Sequence, residues 1–184
     1  MPIAPAAPRS EIRCMFYFCA AGGRDTMFPM MKLVPMLLMC VLAVAAVELP
    51  SRKWINLAAI KTMAAAAEAE AQKRNVQVTI CIVDESGNVL FLQKADGVGL
   101  NTIQFAQKKA RYAALYRRPS GAAADSLKAG NLDVLAFPDG FPNRGGVPIQ
   151  VDGQTIGAMA CSGAASEVDE AIAQAGVEAV VGKK

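Results

Sequence analysis

The segment GGVPIQVDGQTIGAMACSG, residues 145–163, contains two apolar strand-like runs joined at Asp152 and Gly153. An Asp-Gly pair between two such runs is typical of a tight β-hairpin turn. Because a short turn can join only antiparallel neighbours, the segment predicts an antiparallel sheet. The glycine pair at 145–146 marks a place where the backbone bends sharply or packs closely against another element.

A second hairpin and several helices complete the pattern. The run VQVTICIVD (76–84) alternates in the strand period, and ESGN separates it from VLFLQK (89–94), which predicts two more strands. The order helix, hairpin, two helices, hairpin, helix is typical of a single α+β domain with a largely antiparallel sheet. Helix-forming composition and helical spacing of apolar residues predict these helices over residues 56–75, 102–116, 120–128 and 166–181.

The segment between the third helix and the 145–163 hairpin is dense in Gly, Pro, Asn and Asp, which predicts a long loop over residues 130–146. We expect one short strand within it, near Val134 to Phe137. After the hairpin, Ser166 and Asp169 have the spacing of a capping box, with Asp in place of the usual Glu.

Charge and composition limit the classes of function. The 184 residues carry a net charge of +3 and no long basic run, so nucleic-acid binding has little electrostatic support. The chain contains no histidine, which removes the usual general base, the usual zinc ligand and the commonest proximal haem ligand. Nor does it contain a P-loop, a nucleophile elbow or a conventional triad, so the sequence favours binding over catalysis.

The N-terminal part predicts export. Residues 31–46 combine a lysine, a short apolar run and an Ala-Val-Ala site, which is typical of a secretory signal peptide cleaved after Ala45 or Ala46. The alternative is an uncleaved segment that tethers the chain to a membrane. Residues 1–30 fit neither a signal peptide nor a folded element, and residues 47–184 form the predicted domain of a secreted or periplasmic protein.

Two of the five cysteines, Cys81 and Cys161, lie beyond that cleavage site, each in an apolar strand-like run. An oxidising compartment permits a disulfide between them. The sequence favours two buried thiols in the sheet.

Four motifs carry a family resemblance over residues 56–181. They are VDESGNVL (83–90), KADGV (94–98), AQKKARYAALYRRPS (106–120), and the 145–163 hairpin followed by DEAIAQAG (169–176). In their order and spacing they resemble the haem-binding-protein and glycolate-utilisation family, which is similar to the C-terminal domain of propanediol-utilisation adenosyltransferases. The resemblance implies a sheet of about five antiparallel strands covered by helices, a homo-oligomer (an octamer in known members), and binding of haem or another tetrapyrrole.

The chain departs from the family pattern in three ways. Lys94 and Ala95 stand where many members have Arg-Met before Asp-Gly, Ala160 and Cys161 replace a Gly-Val before the final Ser-Gly, and no histidine is present to ligate haem iron. Either no side chain ligates the haem iron, or the axial ligand is one of the remaining donors: a lysine, Cys81, Cys161, Tyr112, Tyr116, or the weaker thioether candidates Met63 and Met159.

Lys109 is the first candidate for ligand binding, because it lies in an apolar helix and matches a lysine of the family. One interpretation pairs it with Asp84 or Asp96. The other gives it a ligand carboxylate, from a haem propionate or a small acid such as glycolate. Asp96, with Gly97, either forms a turn or faces a pocket, and Tyr112 remains open to an acid or base role on the same helix.

The glycine pair also has two interpretations. The backbone N–H groups of Gly145 and Gly146 could hold an anion with Arg144 as a charged donor, or the pair could allow close packing on the N-terminal helix or at a subunit interface. We therefore expect an exported, oligomeric small-molecule-binding protein with a site near Lys109, Asp96 and the glycine pair. The alternatives are an enzyme or accessory factor of small-hydroxyacid metabolism and a structural oligomer without a ligand.

Overall fold

The computed structural model describes residues 48–182. The secondary structure given below belongs to the unit formed by residues 50–184. The predictions made for the N-terminal extension and for the signal peptide at 31–46 lie outside the described residues.

This unit contains four α-helices, one 3-10 helix and four strands among the described residues. In chain order these are α1 (Leu57–Lys73), β1 (Thr79–Asp84), β2 (Val89–Lys94), α2 (Thr102–Tyr116), α3 (Gly121–Lys128), the 3-10 helix (Leu132–Leu135), β3 (Gly146–Val151), β4 (Gln154–Ser162) and α4 (Ser166–Val181).

The strands form one antiparallel sheet in the order β2-β1-β4-β3. The α+β prediction is confirmed, with four strands in the described part of the chain rather than about five. The short strand expected near residues 134–137 is wrong, because the backbone there forms the 3-10 helix. Its first turn is capped by the Asn131 side chain, which accepts a hydrogen bond from the Asp133 amide at 3.0 Å.

Helices cover both faces of the sheet. On one face α1 and α4 build the larger core, in which Met63 and Ile172 pack against Ile80, Ile82 and Met159. On the other face α2 presents a row of alanines to small residues of β1 and β4. Small side chains let α2 lie close to the sheet, so this interface is thin and tolerates little added volume.

The two cysteines confirm the expectation of buried thiols. Both Cys81 and Cys161 are free and fully buried. Cys161 lies opposite Ile80 in the register and faces the larger core, whereas Cys81 faces α2. Since alternate residues of a strand point to opposite faces, the sheet itself separates the two sulfur atoms.

The two edges of the sheet differ. At the β3 edge, the outward N–H and C=O of Gly146 both bond to Ser120, at 2.8 and 2.9 Å, and Pro148 has no N–H to offer. At the β2 edge, Val89, Leu90 and Leu92 are 37 to 47% exposed. The β3 edge is therefore closed, and β2 leaves an apolar edge open.

None of the helices described between residues 48 and 182 has the length and apolar character that a membrane span requires.

Candidate functional site

Lys109 lies in a buried polar junction. Its ammonium group donates to the Asp169 carboxylate at 2.9 Å and to the Cys161 carbonyl at 3.1 Å, and the Lys109 and Asp169 side chains are 2% and 3% exposed. The second carboxylate oxygen of Asp169 accepts a hydrogen bond from the Ala164 amide at 3.0 Å. Because α2 and α4 pack on opposite faces of the sheet, this ion pair joins the two layers past the end of the sheet.

The partners expected for Lys109 are wrong. Asp84 instead closes the β1–β2 turn, where it accepts hydrogen bonds from the Ser86 and Asn88 amides at 2.8 Å each. Asp96 is exposed and borders a separate cavity beside Gln93. Lys109 therefore pairs with an acid 60 residues away, in the last helix.

Gly145 and Gly146 make room for this junction. A Cβ at Gly145 would lie 2.8 Å from the Cys161 carbonyl oxygen and 2.9 Å from the Lys109 ammonium, and a Cβ at Gly146 would overlap the Lys109 carbonyl. The glycine pair thus packs against α2, whereas other residues of the hairpin share the larger core with the N-terminal helix α1. The Gly146 N–H already donates to Ser120 Oγ, which leaves no open anion site at that amide.

Arg144 is engaged in structure rather than turned to a ligand. Its guanidinium donates to both carboxylate oxygens of Asp125, at 2.6 and 2.7 Å, and to Glu170 at 2.8 Å. These hydrogen bonds, first to Asp125 and then to Glu170, raise the pKa of Arg144 above its ordinary value. The arginine therefore ties α3 to the start of α4.

The start of α4 is not the expected capping box. Ser166 Oγ lies 3.1 Å from the Asn143 side-chain oxygen, and Asp169 bonds the Ala164 amide. The carboxylate that the spacing assigned to the cap therefore serves both the helix start and Lys109.

Tyr112 and the two candidate methionines are buried. The Tyr112 hydroxyl accepts a hydrogen bond from Arg118 at 2.9 Å, and its ring stacks on Tyr116 with centroids 4.6 Å apart. Met159 packs in the core against Gly176. Met63 is equally buried, but it lines a surface groove.

That groove was not found from the sequence. It has a volume of about 480 Å³, and its walls are mostly apolar, with two cations, Arg52 and Lys53, at the rim. Trp54, the only tryptophan of the chain, is 80% exposed beside it. The apolar lining consists of Trp54, Ile55, Ala59, Met63, Ile149, Val151, Ile156 and Val180.

The segment 50–56, which we call the N-terminal arm, forms one side of the groove. Arg52 forms an ion pair with Glu85 of the β1–β2 turn, and Lys53 forms one with Asp152 of the β3–β4 turn. Ile55 packs over Gly157, where β4 has no side chain. The arm therefore places two cations and an aromatic ring beside an apolar wall, although the only signal in the sequence was the cluster SRKW at 51–54.

The described part of the chain offers no cluster of side chains for a metal ion. Among residues 48–182, no three His, Cys, Asp or Glu side chains lie close enough together to hold a metal ion. The groove instead has the features of a site for an amphipathic small molecule, with apolar walls and a few convergent polar groups.

Comparison with known proteins supports the resemblance found in the motifs. The family described as "Haem degrading protein HbpS-like" matches residues 55–178. Protein GlcG of Escherichia coli strain K12 is 38% identical over 98 residues, which cover 53% of this chain and 73% of GlcG.

Solved structures show the same fold. A double mutant of HbpS from Streptomyces reticuli has a TM-score of 0.67 at 27% identity, covering 76% of this chain and 95% of HbpS. The PduOC:heme complex has a TM-score of 0.64 at 25% identity, covering 70% of this chain and 96% of PduOC. The chain therefore belongs to the HbpS-like family.

Proposed function

We propose that the protein binds haem or a closely related tetrapyrrole in the groove beside the N-terminal arm. The observation that carries the proposal is a mostly apolar groove with Arg52 and Lys53 at its rim. A porphyrin combines a flat apolar body with two carboxylates, and the groove offers a surface for each. The likeness to a protein crystallised with haem supports this choice among amphipathic ligands.

The residues of the groove fit the group in three respects. Trp54 and the aliphatic wall would hold the macrocycle by apolar contact and ring stacking. Arg52 and Lys53 would hold the propionates by charge-assisted hydrogen bonds, in exchange for their exposed ion pairs with Glu85 and Asp152. Met63 is among the lining residues but is fully buried in the larger core, so its thioether would reach the iron only after its side chain turns toward the groove; methionine is a known axial ligand of haem iron.

Haem, when bound, supplies an iron centre that binds small ligands and exchanges electrons. The protein contributes position and environment. The apolar walls would exclude water from the ligand, and Arg52 and Lys53 would hold its carboxylates. Lys109 and Tyr112 have no role in this site, because both side chains are buried outside it.

A haem titration followed by two signals tests the proposal. Because Trp54 is the only tryptophan, its fluorescence reports contact at the groove, while the Soret band reports the haem. We expect saturable quenching with a matching Soret shift, and loss of the shift in Met63→Leu. Met159→Leu is the matched control, since Met159 is as buried as Met63 but does not line the groove.

Two outcomes would contradict the proposal. A Soret shift without quenching of Trp54 would put the haem elsewhere on the protein. No saturable response in either signal would exclude haem as the ligand of this groove.

We also propose that copies of the chain associate through the open β2 edge. The exposed Val89, Leu90 and Leu92 support an apolar contact there, and the closed β3 edge cannot add a strand as readily. Light scattering after size-exclusion chromatography should show an oligomer, and Leu92→Lys should lower its mass. An unchanged mass would place the contact elsewhere.

Export remains a proposal that rests on residues 31–46. Expression of the full chain in a bacterial host tests it. Mass spectrometry should find chains that begin at Ala46 or Val47 outside the cytoplasm, and chains found only inside, with residues 31–46 attached, would contradict it.

A further inference from the structure

A second cavity shares part of its lining with the groove, including two residues of the N-terminal arm. Its volume is about 440 Å³, and Arg52, Lys53 and Ile156 line both spaces. The remaining lining comes from the β1–β2 turn, the end of α2 and the β3–β4 turn. We propose that this cavity binds a small oxyanion, a carboxylate or a phosphate, with Arg117 as its principal ligand.

The first argument is the state of Arg117. Five of the six arginines in residues 48–182 donate a side-chain hydrogen bond, whereas the guanidinium of Arg117 has no partner in the part of the chain described. The Arg117 residue is exposed and lines the cavity. Five N–H donors in a planar fork are therefore available to a carboxylate or phosphate.

The second argument is the backbone. Arg117 follows the last turn of α2 with φ +55°, in the left-handed region that glycine adopts without cost. A non-glycine residue in this conformation carries a strain that structural stability alone would select against. Glycine would be more stable at this position, so local backbone stability does not account for the arginine.

The third argument is the charge of the cavity. Of the three cations that line the cavity, Arg52 is paired with Glu85 and Lys53 with Asp152, so Arg117 contributes the charge that no acid offsets. Three neutral side chains with hydrogen-bonding groups, Ser86, Gln154 and Thr155, add to the lining. A net positive, polar cavity suits a small hydrophilic anion, whereas the groove suits an apolar ligand.

Isothermal titration with two probes, inorganic phosphate and malonate, tests the proposal at low ionic strength and without haem. We expect saturable binding of at least one probe, and the stronger of the two identifies the class of anion. Arg117→Gly should weaken that binding by about tenfold or more, because it removes a bidentate donor. Arg117→Lys should retain part of it.

Thermal unfolding separates this role from a structural one. Arg117→Gly should raise Tm, since glycine relieves the left-handed strain, and the control Asn75→Gly changes a second left-handed residue (φ +54°) that lies outside both cavities. Asn75→Gly should leave anion binding unchanged. No binding of either probe by the wild type, or equal binding by wild type and Arg117→Gly, would overturn the proposal. Neither result depends on whether the groove binds haem.

Discussion

Replacement of Lys109 by methionine should be among the most destabilising single changes in this protein. The substitution keeps the length of the side chain and removes the ammonium group that bonds Asp169 and the Cys161 carbonyl. The Asp169 carboxylate, 3% exposed, would then remain buried with only the Ala164 amide as partner among the described residues. Loss of one member of a buried ion pair costs about 3 to 5 kcal/mol, which is a large part of the stability of about 5 to 15 kcal/mol of a typical domain.

The assay is urea unfolding followed by far-UV circular dichroism. Lys108→Met is the matched control, because Lys108 is the neighbouring residue, is exposed and makes a cation–π contact with Phe141 at 5.6 Å. An exposed contact of this kind is worth about 0.5 to 1 kcal/mol. The free energy of unfolding should therefore fall several times more in Lys109→Met than in Lys108→Met.

A double variant isolates the charge pair from simple packing. Lys109→Met combined with Asp169→Leu removes both charges, so its cost should be smaller than that of Lys109→Met alone. The remaining loss would come from the Ala164 amide and the Cys161 carbonyl, at about 1 kcal/mol each. A cost below about 1 kcal/mol for Lys109→Met, or a double variant as unstable as the sum of the single variants, would refute the reasoning.

Three further predictions concern packing, thiol reactivity and acid stability. Gly146→Ala should lower the urea midpoint strongly, because a Cβ there would overlap the Lys109 carbonyl on α2; an unchanged midpoint would mean that α2 can move away from the hairpin. Cys81 and Cys161 should resist a thiol reagent at pH 8 until the protein unfolds. Burial raises the pKa of the Cys81 thiol to about 12 and also raises the pKa of the Cys161 thiol. Rapid labelling of the native protein would contradict this prediction. Burial by itself would raise the pKa of Asp84, but hydrogen bonds from Asn88 and from neighbouring amides outweigh burial and lower that pKa. The ionised Asp84 therefore stabilises the folded protein above the unfolded pKa of about 3.9, and this stability is lost as the pH falls through the lower pKa of the folded state. Urea midpoints of the wild type and Asp84→Asn should accordingly converge toward acid pH, and a constant difference would exclude this linkage.

Local patterns in the sequence were sufficient for most of the secondary structure. The alternation at 76–84 and the Asp-Gly turn at 152–153 each depend on residues close in the chain, and both hairpins are confirmed. The 3-10 helix at Leu132–Leu135 shows where that reasoning failed. A few apolar residues in a loop do not distinguish a short strand from a single helical turn, and the Asn131 cap decided between them.

The candidate site depended on contacts that local patterns do not contain. The position of Lys109 in an apolar helix predicted a charged partner. The partner is Asp169, and not Asp84 or Asp96, which are nearer to Lys109 in the sequence. The groove was missed because its walls come from the N-terminal arm, α1, the second hairpin and α4. Residues so far apart meet only after the sheet and its helices have packed.

The sequence by itself determined the α+β class, the two hairpins, most of the helix bounds and, through its four motifs, the family. These depend on periodicity, turn chemistry and composition, which act over a few residues at a time. The tertiary structure alone decided that the glycine pair accommodates a buried ion pair, that Arg144 is engaged by two acids, and that Arg117 lines a polar cavity. The physical reason is that burial and charge pairing are set by which surfaces meet, and in this chain the deciding partners are brought together only by the packing of helices on the sheet.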